Sequence, residues 1–198
     1  MSISQNGREA TLELPTNGTR PPLYVVRQSP IHGRGVFAAR YIRKGTRILE
    51  YKGERITNRE ADRRYDDTRM KSHHTFLFTL DKKTVIDGAI SAGGGDASYI
   101  NHSCDPNCEA IITGKKIFIH ALRGIEPGVE LAYDYQYERT GKNDAELEKF
   151  YLCRCGAAKC RGTIMKPETK LRRDVKRSRN HDHGKRAPDA RRSRKGRK

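Results

Sequence analysis

The stretch that most constrains the fold is Asn-His-Ser-Cys-Asp-Pro-Asn-Cys at residues 101–108. It follows a glycine run at residues 93–95 and the short apolar step Tyr99-Ile100, which together predict an ordered turn leaving a strand. Asparagine and histidine offer directional hydrogen-bonding groups, Cys104 offers a soft metal ligand, and the Asp-Pro step disfavours a helix. Taken alone, these residues fit a simple turn around a buried cysteine equally well.

A second group of cysteines lies further along the chain. Cys153, Cys155 and Cys160 fall within eight residues, and Gly156 between them can adopt a positive φ. Three thiols can converge on one metal ion, but zinc normally takes four ligands. The remaining cysteines are Cys104 and Cys108, so one of them would have to close such a site from a distance. That closure would tie the C-terminal part of the fold to its centre.

The charge is unevenly distributed. The 198 residues carry a formal net charge of +17, of which residues 167–198 contribute +10 through 14 Lys and Arg against 4 Asp and Glu. Residues 1–166 therefore carry +7. No apolar run approaches the roughly 20 residues of a membrane span, and residues 1–15 lack the apolar segment of a secretory signal. An odd number of clustered cysteines favours metal ligation in a reducing, intracellular compartment over disulfides.

Local patterns predict many short strands and few helices, hence a β-rich domain. Thr57-Asn-Arg-Glu has capping-box spacing, and Gly114-Lys115 fits a hairpin turn. The predicted strands cover residues 23–26, 75–80, 83–87, 110–113, 116–120 and 129–132, and the predicted helices cover about 58–67 and 142–151.

Five motifs in this order resemble the SET-domain family of protein-lysine methyltransferases that carry a post-SET zinc segment. They are Ser-Pro-Ile-His-Gly-Arg-Gly-Val-Phe-Ala (29–38), Glu-Tyr-Lys-Gly-Glu (50–54), the 101–108 stretch, Gly-Val-Glu-Leu-Ala-Tyr-Asp-Tyr (128–135) and the cysteine group at 153–162. The match covers about residues 23–165, and its specificity lies in the order of the five motifs. With no cysteine-rich segment ahead of the domain, it resembles a compact stand-alone form, found in bacteria as well as among eukaryotic relatives.

The resemblance implies a mainly β fold of small antiparallel sheets, β-clip-like, with few short helices. It also implies a pseudoknot, in which residues 133–137 thread beneath the 101–104 loop, an arrangement that periodicity alone does not predict. The expected organisation is a flexible leader (1–22), a SET domain (23–140), a post-SET zinc segment (141–166) and a disordered basic tail (167–198).

The resemblance also implies a set of site residues. Tyr135 matches the family's main catalytic tyrosine, with Tyr51 and Tyr133 as further walls of a lysine channel. The implied S-adenosylmethionine contacts are His32, Gly33, Arg34, Gly35, Asn101, His102 and Tyr135, and the implied zinc ligands are Cys104, Cys153, Cys155 and Cys160.

One departure from the family pattern lies just before Asn101. Ser98 precedes Tyr99 where the family usually carries arginine, and Gly94-Gly95-Asp96 replaces the usual Gly-Asn. We therefore expect the cofactor loop to be held differently in this chain.

The sequence is compatible with two different functions. The first is methyl transfer from S-adenosylmethionine to a lysine of a protein substrate, histone-like or otherwise basic. The second is a basic nucleic-acid-binding module on a SET scaffold with little or no turnover. The tail could contact DNA or RNA, remain solvated, or itself be methylated. The expected location is the cytoplasm or nucleoid of a bacterium, or the nucleus or chromatin of a eukaryote.

Overall fold

The predicted β-rich architecture is confirmed in the computed structural model, which describes residues 21–65, 76–139 and 144–168. Within these ranges most of the regular elements are strands of two to six residues. The strands are β1 (Tyr24–Gln28), β2 (Arg34–Ala38), β3 (Arg47–Tyr51), β4 (Glu54–Thr57), β5 (Leu77–Thr79), β6 (Thr84–Asp87), β7 (Asn101–His102), β8 (Cys108–Thr113), β9 (Lys116–Ala121) and β10 (Ala132–Tyr133). The helices are α1 (Asn58–Arg64) and α2 (Asp144–Phe150).

The strands form four small sheets. β1 and β2 are an antiparallel pair, and two three-stranded antiparallel sheets have the orders β3-β9-β8 and β4-β6-β5. The fourth sheet pairs β7 and β10 in parallel, with Ala132 opposite Asn101 and Tyr133 opposite His102. Strands distant in sequence therefore meet at the 101–108 stretch.

The strands predicted at 75–80 and 83–87, and those predicted at 110–113 and 116–120, each pair as a hairpin in the structure. In the β8–β9 turn, Gly114 (56°) and Lys115 (60°) both have positive φ. This is the conformation of the two-residue hairpin turns whose twist matches that of the flanking antiparallel strands. The β5–β6 turn is held by Asp81, whose carboxylate accepts backbone N–H bonds from Lys83 and Thr84.

Both helices end before their predicted C-terminal residues. Thr57 caps α1 as expected, because its hydroxyl accepts a bond from the Glu60 backbone N–H. The helix ends at Arg64, not near residue 67, because Tyr65 leaves helical geometry and its hydroxyl bonds to Asp87. The second helix begins at Asp144, and the predicted positions 66–67 and 142–143 lie outside the described residues.

Three strand predictions need correction. The first strand begins at Tyr24 and extends to Gln28. A 3-10 helix at Asp96–Tyr99, not a strand, precedes Asn101, because the Ile100 backbone N–H bonds to Ala97. Residues 129–131 do not form a regular strand either. They contact β2 through isolated backbone bonds, such as the one from Leu131 N–H to the Val36 carbonyl, and regular strand pairing begins only at β10.

The core lies between the sheets. Aliphatic side chains from β2, β9 and the 42–48 and 125–131 regions exclude water from its centre. The most deeply buried are Val36, Ile42, Ile100, Ile117, Ile119, Ile125 and Leu131. Among the described residues no helix is long and apolar enough to cross a membrane. Residues 1–20 of the predicted leader and residues 169–198 of the predicted tail lie outside the described residues.

The crossing of β7 and β10 positions the functional residues. Ser103 N–H donates to the Tyr133 carbonyl at 3.1 Å, and the Asn107 side chain accepts from Ala132 N–H at 2.9 Å. The 132–135 segment is thus bonded to both ends of the loop that begins at Asn101. This is the crossing that the family resemblance implied.

Candidate active site and cysteine cluster

A cleft of about 1200 Å³ opens beside the β7–β10 crossing. The β1–β2 loop, the end of the 3-10 helix and the 133–137 segment line it. The lining residues that the sequence pointed to are His32, Gly33, Arg34, Tyr51, Asn101, His102, Tyr133, Tyr135 and Cys153. Gly35 is not among them.

Gly35 is required for a different contact. A Cβ at this position would lie 2.3 Å from a carboxylate oxygen of Glu130, so any larger residue would displace that side chain. Glu130 in turn accepts hydrogen bonds from the Ser29 hydroxyl at 2.8 Å and the Asn101 amide at 2.7 Å. Because Gly35 has no side chain, the Glu130 carboxylate can pack directly against the backbone of β2.

Asn101 fixes the β1–β2 loop from inside the protein. Its side-chain amide lies within bonding distance of the His32 carbonyl (3.3 Å), the Arg34 carbonyl (3.2 Å) and the Ser29 hydroxyl (3.1 Å). With two protons, the amide shares these bonds among the acceptors. Asn101 thus holds the loop that carries the predicted cofactor contacts, leaving the His32, Gly33 and Arg34 side of the loop facing the cleft.

The three predicted tyrosines meet at one wall of the cleft. The Tyr133 and Tyr135 rings are 4.9 Å apart, and Phe78 lies between Tyr51 (5.4 Å) and Tyr133 (6.2 Å). Burial raises the pKa of all three phenols above its usual value. They are therefore neutral at physiological pH and can both donate and accept hydrogen bonds.

The hydroxyls of these tyrosines have different partners. Tyr51 donates to the Phe76 carbonyl and Tyr135 donates to the Ile100 carbonyl, both at 2.7 Å. Within the described part of the chain, the Tyr133 hydroxyl makes no protein hydrogen bond, although its residue is only 9% exposed. Its bonding capacity is available to a molecule in the cleft.

His102 joins the tyrosine wall to the cysteines. Its Nδ1 accepts the Tyr135 backbone N–H at 3.1 Å, and its Nε2 lies 3.4 Å from the Cys104 sulfur. Burial lowers the pKa of this imidazole. The neutral ring therefore carries its proton on Nε2 and accepts at Nδ1.

Four cysteines converge at the edge of the cleft. The sulfurs of Cys104, Cys153, Cys155 and Cys160 all lie within 4.8 Å of one another, a geometry that can hold a metal ion. Cys108 is apart from them: it is buried at the start of β8, and burial raises the pKa of its thiol to about 12. Its side chain belongs to the core.

Each sulfur of the cluster also accepts one backbone N–H bond. Cys155 N–H points to Cys153, Gly162 N–H to Cys160, Arg161 N–H to Cys104 and Cys104 N–H to Cys155, at 3.4 to 3.5 Å. Such bonds stabilise thiolates and orient them toward a shared centre. The backbone of the 153–162 loop is therefore folded around the sulfurs.

Ser98 makes a contact that the family's usual arginine would not make in the same way. Its hydroxyl donates to the Gly88 carbonyl, and Gly88 lies directly against Tyr51, since a Cβ there would be 2.5 Å from the Tyr51 hydroxyl. Beside it, the Arg34 guanidinium stacks 4.6 Å above the Tyr99 ring. Ser98 of the 3-10 helix and the stacked Arg34 of β2 thus occupy this side of the cleft.

Sequence reasoning missed three residues that organise the site. Glu130 braces the loop, and Asp134 and Arg161 form an ion pair between the tyrosine segment and the cysteine loop. A signal was present in the sequence, because Glu130 and Asp134 are carboxylates that flank the apolar run Leu131, Ala132 and Tyr133. Charged residues in such a setting need partners.

Comparison with known proteins gives a consistent picture. The SET-domain sequence profile matches residues 33–136. Similar proteins include "Histone-lysine N-methyltransferase, H3 lysine-4 specific" of Emericella nidulans, 42% identical over 69% of this chain and 11% of the relative, and the protein with the same name in Saccharomyces cerevisiae, 39% identical over 75% of this chain and 14% of the relative. "Histone-lysine N-methyltransferase trr" of Drosophila melanogaster is 41% identical over 72% of this chain and 6% of its own length. The chain therefore matches only a small part of these relatives.

Proposed function

The chain belongs to the SET-domain family, and from that premise we propose that it transfers a methyl group from S-adenosylmethionine to the side-chain amine of a lysine in a protein substrate. The observation that carries this proposal is the wall of three neutral tyrosines in one cleft, next to the loop that Asn101 holds. The names of the similar proteins support the same reaction.

The site has to solve one chemical problem. A lysine amine has a reference pKa of about 10.4, so deprotonating it at pH 7 costs about 4.6 kcal/mol. A narrow and poorly hydrated cleft lowers that pKa because burial disfavours the charged form. No strong general base is then required, and the main task of the protein is to aim the amine.

The tyrosine wall is suited to aiming. S-adenosylmethionine, when bound, supplies the methyl group. The Tyr135 hydroxyl is held by the Ile100 carbonyl, and both groups face the cleft, so their oxygens can orient an amine. Tyr51 closes the wall from the other side with its hydroxyl held by Phe76. We assign the main catalytic role to Tyr135, with Tyr51 and Tyr133 as supporting walls.

We propose that the cofactor lies along the β1–β2 loop. His32, Gly33 and Arg34 line the cleft together with His102 and Tyr135. Gly35 contributes indirectly, by admitting Glu130. Asn101 acts in the same way, through its bonds to the loop carbonyls.

We propose zinc as the metal of the cysteine cluster. Four thiols that lie within 4.8 Å of one another match the closed, tetrahedral sites in which zinc has a structural role. The four backbone N–H bonds to the sulfurs fit this donor set. Cys104 belongs to the 101–108 stretch, so the ion would fasten the C-terminal segment to the cleft.

The substrate proposal rests on the relatives. Their names specify histones, and in two cases histone H3 lysine-4, so we propose a histone or similarly basic protein and, in a eukaryote, a nuclear location. The basic tail is proposed to contact DNA or RNA, which carry the complementary charge. The domain boundaries 23–140 and 141–166 remain proposals as well.

Calorimetric titration with S-adenosylmethionine tests the proposal against the nucleic-acid-binding alternative. We expect one site per chain, weakened at least tenfold by Asn101→Ala, because the loop loses its internal bonds. Gln28→Ala is the control, since it removes an amide that is exposed at the end of β1 and does not line the cleft. Absence of binding by the unaltered protein would contradict the proposal.

A further inference from the structure

We propose that the Arg161–Asp134 ion pair is the contact through which the cysteine cluster positions Tyr135. This inference rests on the proposed methyl transfer at Tyr135. It concerns two residues that lie outside the cluster and outside the tyrosine wall, and it makes both of them positioning residues.

Arg161 is attached to the cluster at one end and to the tyrosine segment at the other. Its backbone N–H donates to the Cys104 sulfur at 3.5 Å. Its guanidinium donates to both carboxylate oxygens of Asp134, at 2.9 and 2.5 Å, and its Nε donates to the Met165 carbonyl at 2.8 Å. The bidentate contact fixes the direction of the carboxylate as well as its distance.

Asp134 controls the turn that follows Tyr135. One of its oxygens accepts the Gln136 backbone N–H at 3.1 Å, and the Gln136 side-chain amide donates to the other at 3.3 Å. Gln136 has φ of 51°, a left-handed conformation that costs a residue with a side chain about 1 kcal/mol or more. The backbone on both sides of Tyr135 is therefore held in place by the carboxylate that Arg161 grips.

The pair is partly shielded from water. The Arg161 and Asp134 side chains are 20% and 17% exposed. His102 also faces the carboxylate, with its Nδ1 3.6 Å from an Asp134 oxygen, while it accepts the Tyr135 N–H. Tyr135 is thus held through its backbone N–H by His102, the adjoining Asp134 is held by Arg161, and Arg161 connects this segment to the cysteine loop.

The two segments have other links, so loss of the pair should not separate them. Tyr137 exchanges backbone bonds with Ile164 (3.2 Å) and Lys166 (2.9 Å), next to the buried Met165. An exposed ion pair joins Glu138 to Lys166 in the same region. What the Arg161–Asp134 pair adds is control of the 134–136 turn, which lies nearer to the Tyr135 hydroxyl.

The test compares Asp134→Asn with Glu138→Gln in the full, metal-loaded chain. Both changes convert a carboxylate that binds a cation of the 161–166 segment into an amide, but only the first touches the strained turn. For Asp134→Asn we expect kcat on a histone H3 peptide to fall roughly ten- to a hundredfold, because the reacting groups are less well aimed. The KM for S-adenosylmethionine should change by less than about twofold, and Glu138→Gln should leave kcat within about twofold of the wild type.

Two further readouts separate positioning from a general structural role. Metal content per chain should remain equal in all proteins, and amide hydrogen exchange should accelerate in the 133–137 region of Asp134→Asn only. Arg161→Lys keeps the charge but not the bidentate grip, so it should show a smaller loss of kcat. It also gives a second variant if Asp134→Asn folds poorly.

The results decide the inference in either direction. Unchanged kcat and unchanged exchange in Asp134→Asn overturn it, as does loss of metal in proportion to loss of kcat, because the pair would then only hold the cluster together. If the wild type transfers no methyl group, the proposed function fails. In that case the exchange measurement still determines whether the pair orders the Tyr135 turn.

Discussion

The β core and the cysteine segment are stabilised in different ways. In the core, aliphatic side chains such as Ile117, Ile119 and Leu131 are completely buried between sheets. In the described part of the segment after α2, by contrast, Tyr151, Thr163 and Met165 are the buried residues, and the chain is otherwise folded around four sulfurs. The first region can fold by excluding water, whereas the second has little apolar area and, in our proposal, is stabilised by a metal ion on its thiols.

This difference explains how the cleft is assembled. Burial of each large aliphatic side chain contributes about 1.5–3 kcal/mol, so the sheets, together with the core tyrosines Tyr51 and Tyr133, can form without metal. The cysteine loop has little apolar area, and the free energy of metal binding would supply its folding energy. On the zinc proposal, the cleft therefore has one wall made by packing and another that depends on the metal.

The largest expected effect comes from removing a thiol of the cluster. Cys153→Ser should lower bound zinc from one ion per chain to well below one and abolish methyl transfer, because the loop loses a tetrahedral ligand. The β signal in circular dichroism should persist. Metal analysis and turnover on the same sample provide the measurement.

Cys108→Ser is the matched control for that experiment, since Cys108 is a thiol of the same 101–108 stretch that belongs to the core. It should retain zinc, as Cys104→Ser should not. The proposed ligand set is wrong if Cys108→Ser loses zinc while Cys104→Ser keeps it.

The second effect concerns the packed wall. Tyr135→Phe should lower kcat about a hundredfold or more and leave S-adenosylmethionine affinity within about twofold, because the hydroxyl aims the amine and does not hold the cofactor. Steady-state kinetics and calorimetry measure the two quantities. Tyr41→Phe, which alters a tyrosine that is 49% exposed, serves as control. Equal turnover in both variants would refute the assignment.

The third prediction separates the two regions by stability. Ile119→Ala should reduce the free energy of unfolding by about 2–5 kcal/mol, because it leaves a cavity at a completely buried position. The folded fraction should still bind one zinc ion per chain. Urea unfolding with metal analysis of the folded protein checks both points, and loss of zinc by the folded fraction would show that the core and the cluster are not independent.

The smallest expected effect is a change of product. The Tyr133 hydroxyl makes no protein bond among the described residues, so it can bond to the amine or to an ordered water and occupy space that a more methylated amine needs. We expect mainly mono- or dimethyl-lysine from the wild type. Tyr133→Phe should raise the share of higher methylation several-fold, since one such bond is worth about 1 kcal/mol. Dominant trimethylation by the wild type, or identical product masses for both proteins, would contradict this role.

The sequence predicted the parts of the molecule that reside in short motifs. Capping at Thr57, the hairpin at Gly114-Lys115 and the β-rich fold all follow from local rules. The family resemblance also indicated which tyrosines to examine, and the structure places them in one cleft. The sequence patterns alone left open whether Cys104 or Cys108 joins the cysteine group, because both lie in the same stretch.

Long-range contacts could not be predicted in this way. The two-residue parallel pairing of β7 and β10 is too short to have a periodic signature, and it joins strands that are distant in the sequence. The partners of Glu130 and Asp134 lie 101 and 27 residues away along the chain, at Ser29 and Arg161. No spacing rule joins residues at such distances, so the network that holds the tyrosine wall emerges only in three dimensions.

The most direct measurement is mass spectrometry of a histone H3 N-terminal peptide after incubation with zinc-loaded protein and S-adenosylmethionine. Our account predicts a mass increase of one or two methyl groups, located by fragmentation on a lysine, and no increase with the Tyr135→Phe variant over the same time. An unmodified peptide in the presence of bound cofactor, with core histones also unmodified, would contradict it, as would a methyl group on any residue other than lysine.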